Sequence, residues 1–285
     1  MFTRSCEIPM IKVAVPNKGS LAESATVILK DAGYRQRTDP RDLTLYDPEN
    51  DIEFYYLRPR DIAVYVGSGE LDIGITGRDL LIDSGVSAVE ILPLDFGRST
   101  FRFASKEETT LAGKRIATAY PGLVESFLKK EKIQATVVRL DGAVESSVRL
   151  GVADVIADVV STGGTLRQAG LKVFGDPILE SEAILIERSG VSRSAAVETL
   201  LRRINGVVIA RQYVLVDYDV EQKNLEAATA ITPGIESPTI SPLQKEGWSA
   251  VRAMVKSREV NKVMDDLYKV GARGILVTDI HASRL

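Results

Sequence analysis

The run from Asp154 to Leu166, D-V-I-A-D-V-V-S-T-G-G-T-L, sets two carboxylates on an apolar stretch that ends in hydroxyls and glycines. Asp154 and Asp158 are four residues apart and share a face if the stretch is a regular strand. Ser161, Thr162, Gly163, Gly164 and Thr165 then lead into a helix-like run. Small residues let several backbone N–H groups converge, a helix N-terminus adds positive potential, and the hydroxyls add donors. Such a loop suits a monophosphate. The neighbouring carboxylates suit sugar hydroxyls and an oxocarbenium-like centre, which gains from nearby negative charge. Loop and acids together point to a phosphoribosyl group. The same residues also fit an ordinary strand–turn–helix junction with solvated Asp, since neither a Walker lysine nor Rossmann glycine spacing is present.

Three further clusters carry charge at places where apolar runs end. Pro16-Asn17-Lys18-Gly19-Ser20-Leu21 sets Lys18 and Gly19 at a strand–helix junction, where an anion could meet them. Leu57-Arg58-Pro59-Arg60-Asp61-Ile62 opens a helix with a basic pair, Arg58 leading. Gly69 to Asp79 carries Asp72 just before a short buried strand, Ile73 to Thr76, and Gly77 just after it, with Thr76 at its end. Each cluster alone reads as a solvated face or a helix cap. All three fall at strand ends of one lobe, and open α/β sheets bind ligands at such ends.

The elements that must position these groups follow from periodicity. Ile11 to Pro16 reads as a strand and Leu21 to Asp31 as a helix stopped by Gly33. Ile62 to Gly69 reads as a helix, Ile73 to Thr76 as a buried strand, and Gly77-Arg78-Asp79 as a turn into another helix. A second set begins near Ser99. It has strands at Phe101 to Ala104, Arg115 to Thr118, Thr136 to Leu140 and Val155 to Val160, and helices at Leu123 to Glu131 and Ala143 to Leu150. Strands alternating with helices imply parallel or mixed sheets, hence an α/β protein with two lobes and a cleft. Ile184 to Glu187 returns the chain to the first lobe, closed by a helix over Ser194 to Asn205. The expected division is 1–98 with 184–211 as lobe I, 99–183 as lobe II, and 212–285 as a third domain. That last part reads strand, helix, strand, strand, helix, strand, the ferredoxin-like βαββαβ order common in small-ligand sensors.

Composition removes several alternatives. With 45% hydrophobic and 26% charged residues, 285 residues can bury a core without staples. The net charge of −3 argues against a nucleic-acid partner, which calls for a basic stripe. One cysteine, Cys6, and one histidine, His281, leave no internal disulfide, no Cys/His zinc site and a poor prospect of a Ser-His-Asp triad. Met1 to Pro9 has no apolar core, and no run reaches a membrane span, so the expectation is a cytoplasmic protein without a membrane partner.

Pro16-Asn17-Lys18-Gly19, Arg58-Pro59-Arg60-Asp61, Asp72 to Asp79, Asp141-Gly142-Ala143-Val144-Glu145 and Asp154 to Leu166 resemble, in order and spacing, the ATP phosphoribosyltransferase family. Ala230 to Thr239 resembles the histidine-binding domain of its long form. Ser20 stands where the family commonly carries Arg. The resemblance implies a periplasmic-binding-protein-like two-lobed core and an ACT-like regulatory domain. It implies condensation of ATP with phosphoribosyl pyrophosphate, using Mg²⁺ held mainly by the substrate pyrophosphate, as the first committed step of histidine biosynthesis. Feedback by L-histidine and dimeric or hexameric assembly are implied too, with the effector site shared between subunits. Ser161 to Thr165 would take the 5-phosphate, and Asp154 and Asp158, with Glu145 nearby, the ribose. Arg58, Lys18 and Gly19 would meet phosphate charge, and Asp72, Thr76 and Gly77 the nucleotide end. Asp219, Ile235, Ser237, Thr239 and Gly274 would form the histidine pocket. Two rival readings share these residues: a two-lobed solute-binding or effector-sensing protein, and a phosphoribosyltransferase with another acceptor.

Overall fold

The computed structural model describes residues 10–160 and 163–283. One compact unit comprises the chain through Val27 together with Tyr34–Glu198, and the other Ile28–Gly33 with Thr199 onward. The first unit holds two sheets and the second holds one.

The first sheet is built from β1 (Ile11–Pro16), β2 (Thr44–Asp47), β3 (Ile52–Leu57), β4 (Ile73–Gly77), β5 (Ala88–Pro93) and a later strand. Around them run α1 (Ser20–Asp31), α2 (Pro59–Ser68) and α3 (Arg78–Ser84). The second sheet takes β6 (Ser99–Ser105), β7 (Arg115–Thr118), β8 (Thr136–Arg139), β9 (Val155–Val160) and β10 (Lys172–Ser181). Its helices are α4 (Pro121–Glu131), α5 (Ser146–Arg149) and α6 (Gly164–Gln168). β11 (Ala183–Arg188) returns to the first sheet, giving the orders β2-β3-β1-β4-β11-β5 and β10-β6-β9-β7-β8.

Parallel pairing fixes the site. β1 runs parallel to β3 and β4, and β7 runs parallel to β8 and β9. The C-terminal ends of each set therefore share one edge of each sheet. β4 and β11 are buried almost throughout, as strands covered on both faces must be, which explains their continuous apolar runs. Pro59 at the first position of α2 and a left-handed Gly69 after it fix that helix's ends.

Several expectations needed adjustment. The helix expected over Ala143 to Leu150 is only Ser146–Arg149, because Ala143 takes a positive φ of 47° and breaks the first turn. β2, β5 and β10 carry no clean alternation; β10 contains Gly175 and Pro177 and slips register between Phe174 and Leu179.

The second unit contains most of α7 (Ala195–Gln212), then β12 (Tyr213–Glu221), α8 (Leu225–Ile231), β13 (Thr239–Pro242), β14 (Trp248–Lys256), α9 (Val260–Lys269) and β15 (Arg273–Asp279). α7 crosses the division after Glu198, and the expected boundary at 211/212 falls where this helix gives way to β12. The sheet order β13-β14-β12-β15 with antiparallel pairing is the ferredoxin-like arrangement. Val214, Val216, Tyr218 and Val220 alternate inward from β12, and Tyr218 Oη meets Thr232 Oγ1 at 2.7 Å beneath the helices.

Candidate functional site

The first lobe presents its groups where β1, β3 and β4 end. Lys18 is exposed just past β1, next to Gly19 in the left-handed region at φ 80°, which a side chain would strain. Asn17 Oδ1 beside them is buried without a hydrogen-bond donor, an acceptor still unsatisfied at this edge. Arg58 precedes α2 and is exposed; among the described residues neither it nor Lys18 is ion-paired. Gly77 ends β4, and a Cβ there would collide with Asp79 Oδ1, so glycine is what lets Asp79 fold back over the turn.

The second lobe answers from the ends of β7 and β9. Asp158 is partly buried and accepts the Val159 N–H at 2.7 Å. Burial pushes its carboxyl above the usual range, and the charges of Glu145 and Asp79 push the same way while Arg60 opposes them. Tyr120, at the start of α4, packs edge-on against Phe101 with ring centroids 5.2 Å apart. Its phenol is pushed well up by burial, then by the Asp79 charge, with Arg60 pulling back and Asp158 adding to the rise. Arg60 lies over the Tyr120 ring, 4.6 Å from its centroid.

Asp79 and Arg60 from one lobe thus stand close to Tyr120 and Asp158 from the other, with Glu145 near Asp158, where the two lobes meet. Such a set can offer a guanidinium to anionic groups and carboxylates to hydroxyls. Arg60 and Asp79 stand inside the clusters that the sequence singles out but were not assigned roles there. Tyr120 carries no signal beyond its place before Pro121-Gly122.

The phosphate-loop assignment is described in part. Ser161 and Thr162 lie outside the described residues. Gly163 adopts φ 69° and Gly164 opens α6, with Thr165 exposed on its first turn. Arg167 Nη1 would lie 3.2 Å from a Cβ at Gly163, so a guanidinium borders this loop.

Three assigned residues are elsewhere. Asp154 precedes β9 at its N-terminal end, where it binds the Arg115 guanidinium at 2.9 and 3.2 Å and the Arg115 N–H at 2.9 Å. The Arg115 bonds hold its carboxyl down to about 2. A strand rises about 3.3 Å per residue, so four residues separate Asp154 from Asp158 by about 13 Å. Sharing a face does not mean sharing a site. Asp72 likewise precedes β4 and accepts the Lys12 N–H at 2.8 Å, at the sheet end opposite Lys18. Thr76 is fully buried and donates to the Pro59 carbonyl at 2.8 Å, tying β4 to α2 rather than facing the cleft.

In the second unit Asp219 and Gly274 are neighbours: a Cβ on Gly274 would stand 3.4 Å from Asp219 Oδ2. Ile235, Ser237 and Thr239 are exposed on and before β13, which is separated from β12 by β14. Two strand spacings are about 10 Å, so within a single chain Asp219 and Thr239 do not hydrogen-bond to each other.

Among the described residues no three His, Cys, Asp or Glu side chains are grouped to hold a metal, and no helix is long and apolar enough to cross a membrane.

Comparison with known proteins bears on this geometry. A family model described as ATP phosphoribosyltransferase matches residues 58–206, and one described as HisG, C-terminal domain, matches 210–282. The ATP phosphoribosyltransferase of Pseudarthrobacter chlorophenolicus is 60% identical over 286 residues, covering 97% of this chain and 100% of that protein. That of Salinispora tropica is 59% identical over 281 residues with the same coverage. Among solved structures, the ATP phosphoribosyl transferase (HisG:HisZ) complex from Thermotoga maritima superposes with a TM-score of 0.62 at 25% identity, covering 70% of this chain and 99% of the matched one.

Proposed function

We propose that this chain, which belongs to the ATP phosphoribosyltransferase family, condenses ATP with 5-phosphoribosyl 1-pyrophosphate to N1-(5-phosphoribosyl)-ATP and pyrophosphate. The observation that carries the reading is that Arg60 and Asp79 of one lobe meet Tyr120 and Asp158 of the other, Asp158 on the strand that leads into the Gly163–Thr165 turn.

In the reaction, adenine N1 forms a bond to C1 of the ribose as the C1–O bond to pyrophosphate breaks. N1 carries no proton to remove, so no general base is required. The barrier falls through alignment of two bound substrates and stabilisation of the departing charge. The 5-phosphate would take the backbone N–H groups and hydroxyls of 161–165. Asp158 and Glu145 would hold ribose hydroxyls and offset positive charge growing at C1. Lys18 and Arg58, without ion pairs among the described residues, would meet phosphate charge, while Asp79 and Tyr120 would border the adenine.

Mg²⁺ fits this donor set. It prefers one or two carboxylates plus substrate phosphates to an all-protein cage, and Asp158 with Glu145 near it offers that, while the described residues hold no cluster of three metal-binding side chains. Bound there it would neutralise charge on the leaving pyrophosphate.

This would make the protein the first committed enzyme of histidine biosynthesis, cytoplasmic, acting on small molecules without nucleic-acid or membrane partners. The same reading extends to the second unit: L-histidine would inhibit by binding Asp219 and Gly274 of one subunit and Ile235, Ser237 and Thr239 of another, within a homodimer or hexamer. Inhibition over that distance requires two global states that histidine binds unequally. A spectrophotometric assay with ATP, phosphoribosyl pyrophosphate, Mg²⁺ and pyrophosphatase, with and without L-histidine, tests both parts. Product suppressed by histidine is expected. No product would overturn the reaction, and product indifferent to histidine would overturn the regulation.

A further inference from the structure

We propose that Asp83 is a positioning residue that clasps the two lobes together and sets Arg60 over Tyr120; the inference rests on the reaction proposed above. α3 carries two carboxylates one turn apart, Asp79 at its start and Asp83 near its end, and positions i and i+4 lie on one helix face. Asp79 turns toward the cleft. Asp83 makes three contacts. Its Oδ2 accepts from Arg60 Nη1 at 2.6 Å, across to α2. Its Oδ1 accepts the Leu123 N–H at 3.2 Å, capping the first turn of α4 in the other lobe. Its backbone carbonyl lies so close to Gly122 that a Cβ there would overlap it.

The Asp83 side chain is only 9% exposed while Arg60 is 43% exposed, so the carboxylate is the fixed member and the guanidinium the member being held. Among the described residues Asp83 is the one hydrogen-bond partner of Arg60. Its guanidinium also rests on the Tyr120 ring. Because Leu123 and Tyr120 belong to the same helix start, the side chain that aims Arg60 also fixes the surface Arg60 rests on. In this role Asp83 acts through Arg60 and α4 rather than on the substrates themselves.

The test is a double-mutant cycle of Asp83→Asn, Arg60→Gln and both, in the full chain, with kcat and KM measured for each substrate. Asp83→Asn keeps an oxygen for the Leu123 N–H and removes the charge that orients Arg60. It should lower kcat/KM by about tenfold to a hundredfold, the scale of a misaligned contact. The double variant should be no worse than Arg60→Gln alone, as residues acting through one another are non-additive. Additive losses, or Asp83→Asn within about twofold of the parent, would overturn the positioning role. Hydrogen exchange without substrates reads the clasp apart from the reaction. Asp83→Ala should speed exchange at the first turn of α4 and Asp83→Asn should not; unchanged exchange in Asp83→Ala would overturn the clasp. A parent protein that forms no product would instead refute the proposed reaction, with the exchange result still deciding the clasp.

Discussion

Asp79 and Ser181, 102 residues apart, share a reciprocal pair of hydrogen bonds: the Asp79 N–H donates to Ser181 Oγ at 3.1 Å, and Ser181 Oγ donates to Asp79 Oδ1 at 2.8 Å. Both are buried, and Ser181 ends β10 of one lobe where α3 of the other begins. One hydroxyl thus satisfies the first turn of α3 and aims the carboxylate that faces Tyr120.

Ser181→Ala should therefore cost both stability and turnover. Removing the hydroxyl leaves a buried N–H and a carboxylate oxygen without their partner, a loss of about 1–3 kcal/mol. Urea unfolding should show the loss as a lower midpoint at unchanged slope. Turnover of the folded variant should drop with it, because Asp79 is no longer fixed. A variant with the parent's midpoint and rate would show that Asp79 is held by other means.

Gly122→Ala should destabilise the protein although its φ is unremarkable. The added methyl meets the Asp83 carbonyl oxygen, which is backbone and cannot rotate aside. α3 and α4 must then separate by a fraction of an ångström, and overpacking of this kind costs about 1–3 kcal/mol. Differential scanning calorimetry reads the shift, and Gly142→Ala is the control, since a Cβ there meets nothing within 4 Å and the backbone is outside the left-handed region. A Gly122→Ala variant as stable as the parent would mean the two helices are not in contact as described.

Asp158→Asn should abolish turnover and raise stability at neutral pH. Burial lifts the folded-state pKa of Asp158 above its unfolded value, so the native state binds more protons than the unfolded state between the two values. Stability contributed by this group is then greatest below the unfolded pKa and declines as pH rises through the folded one. The asparagine variant lacks that penalty. Its melting temperature should exceed the parent's at pH 7 by a few degrees and converge with it in acid, seen by thermal scans across pH. A variant less stable than the parent at pH 7 would mean that the Val159 N–H and Arg60 outweigh the burial of the charge.

The edges of the parallel strands were legible because each apolar run stops at glycine and charge, as at Pro16-Asn17-Lys18-Gly19 and Gly77-Arg78-Asp79. Which end of a strand an acid occupies was not. Asp72 and Asp154 each stand immediately before an apolar run, and Asp158 within one, yet only Asp158 reaches the cleft. Motif proximity in sequence hides a full strand length in space. The Asp79–Ser181 pair and the Asp83–Leu123 cap join segments 102 and 40 residues apart, so no local periodicity could announce them. β10, broken by Gly175 and Pro177, offers no alternation to read.

The second unit yields a prediction that depends on symmetry. Asp219→Ala alone should leave catalysis nearly intact and remove inhibition by L-histidine, and Thr239→Val should do the same. Asp219 pairs with Ala250 across β12 and β14, and Thr239 pairs with Arg252 across β13 and β14, so within one chain the two groups flank an intervening strand. If the effector bridges subunits, each site takes Asp219 from one and Thr239 from its partner. Mixing the two insensitive variants, unfolded and refolded together, then creates dimers in which one site is doubly defective and the other is wholly native. Partial inhibition by histidine should reappear in the mixture and in neither parent variant. A pocket confined to one chain cannot be repaired this way, because every chain in the mixture still carries one of the two lesions. A mixture as insensitive as its components would therefore refute the shared site while leaving the catalytic cleft untouched.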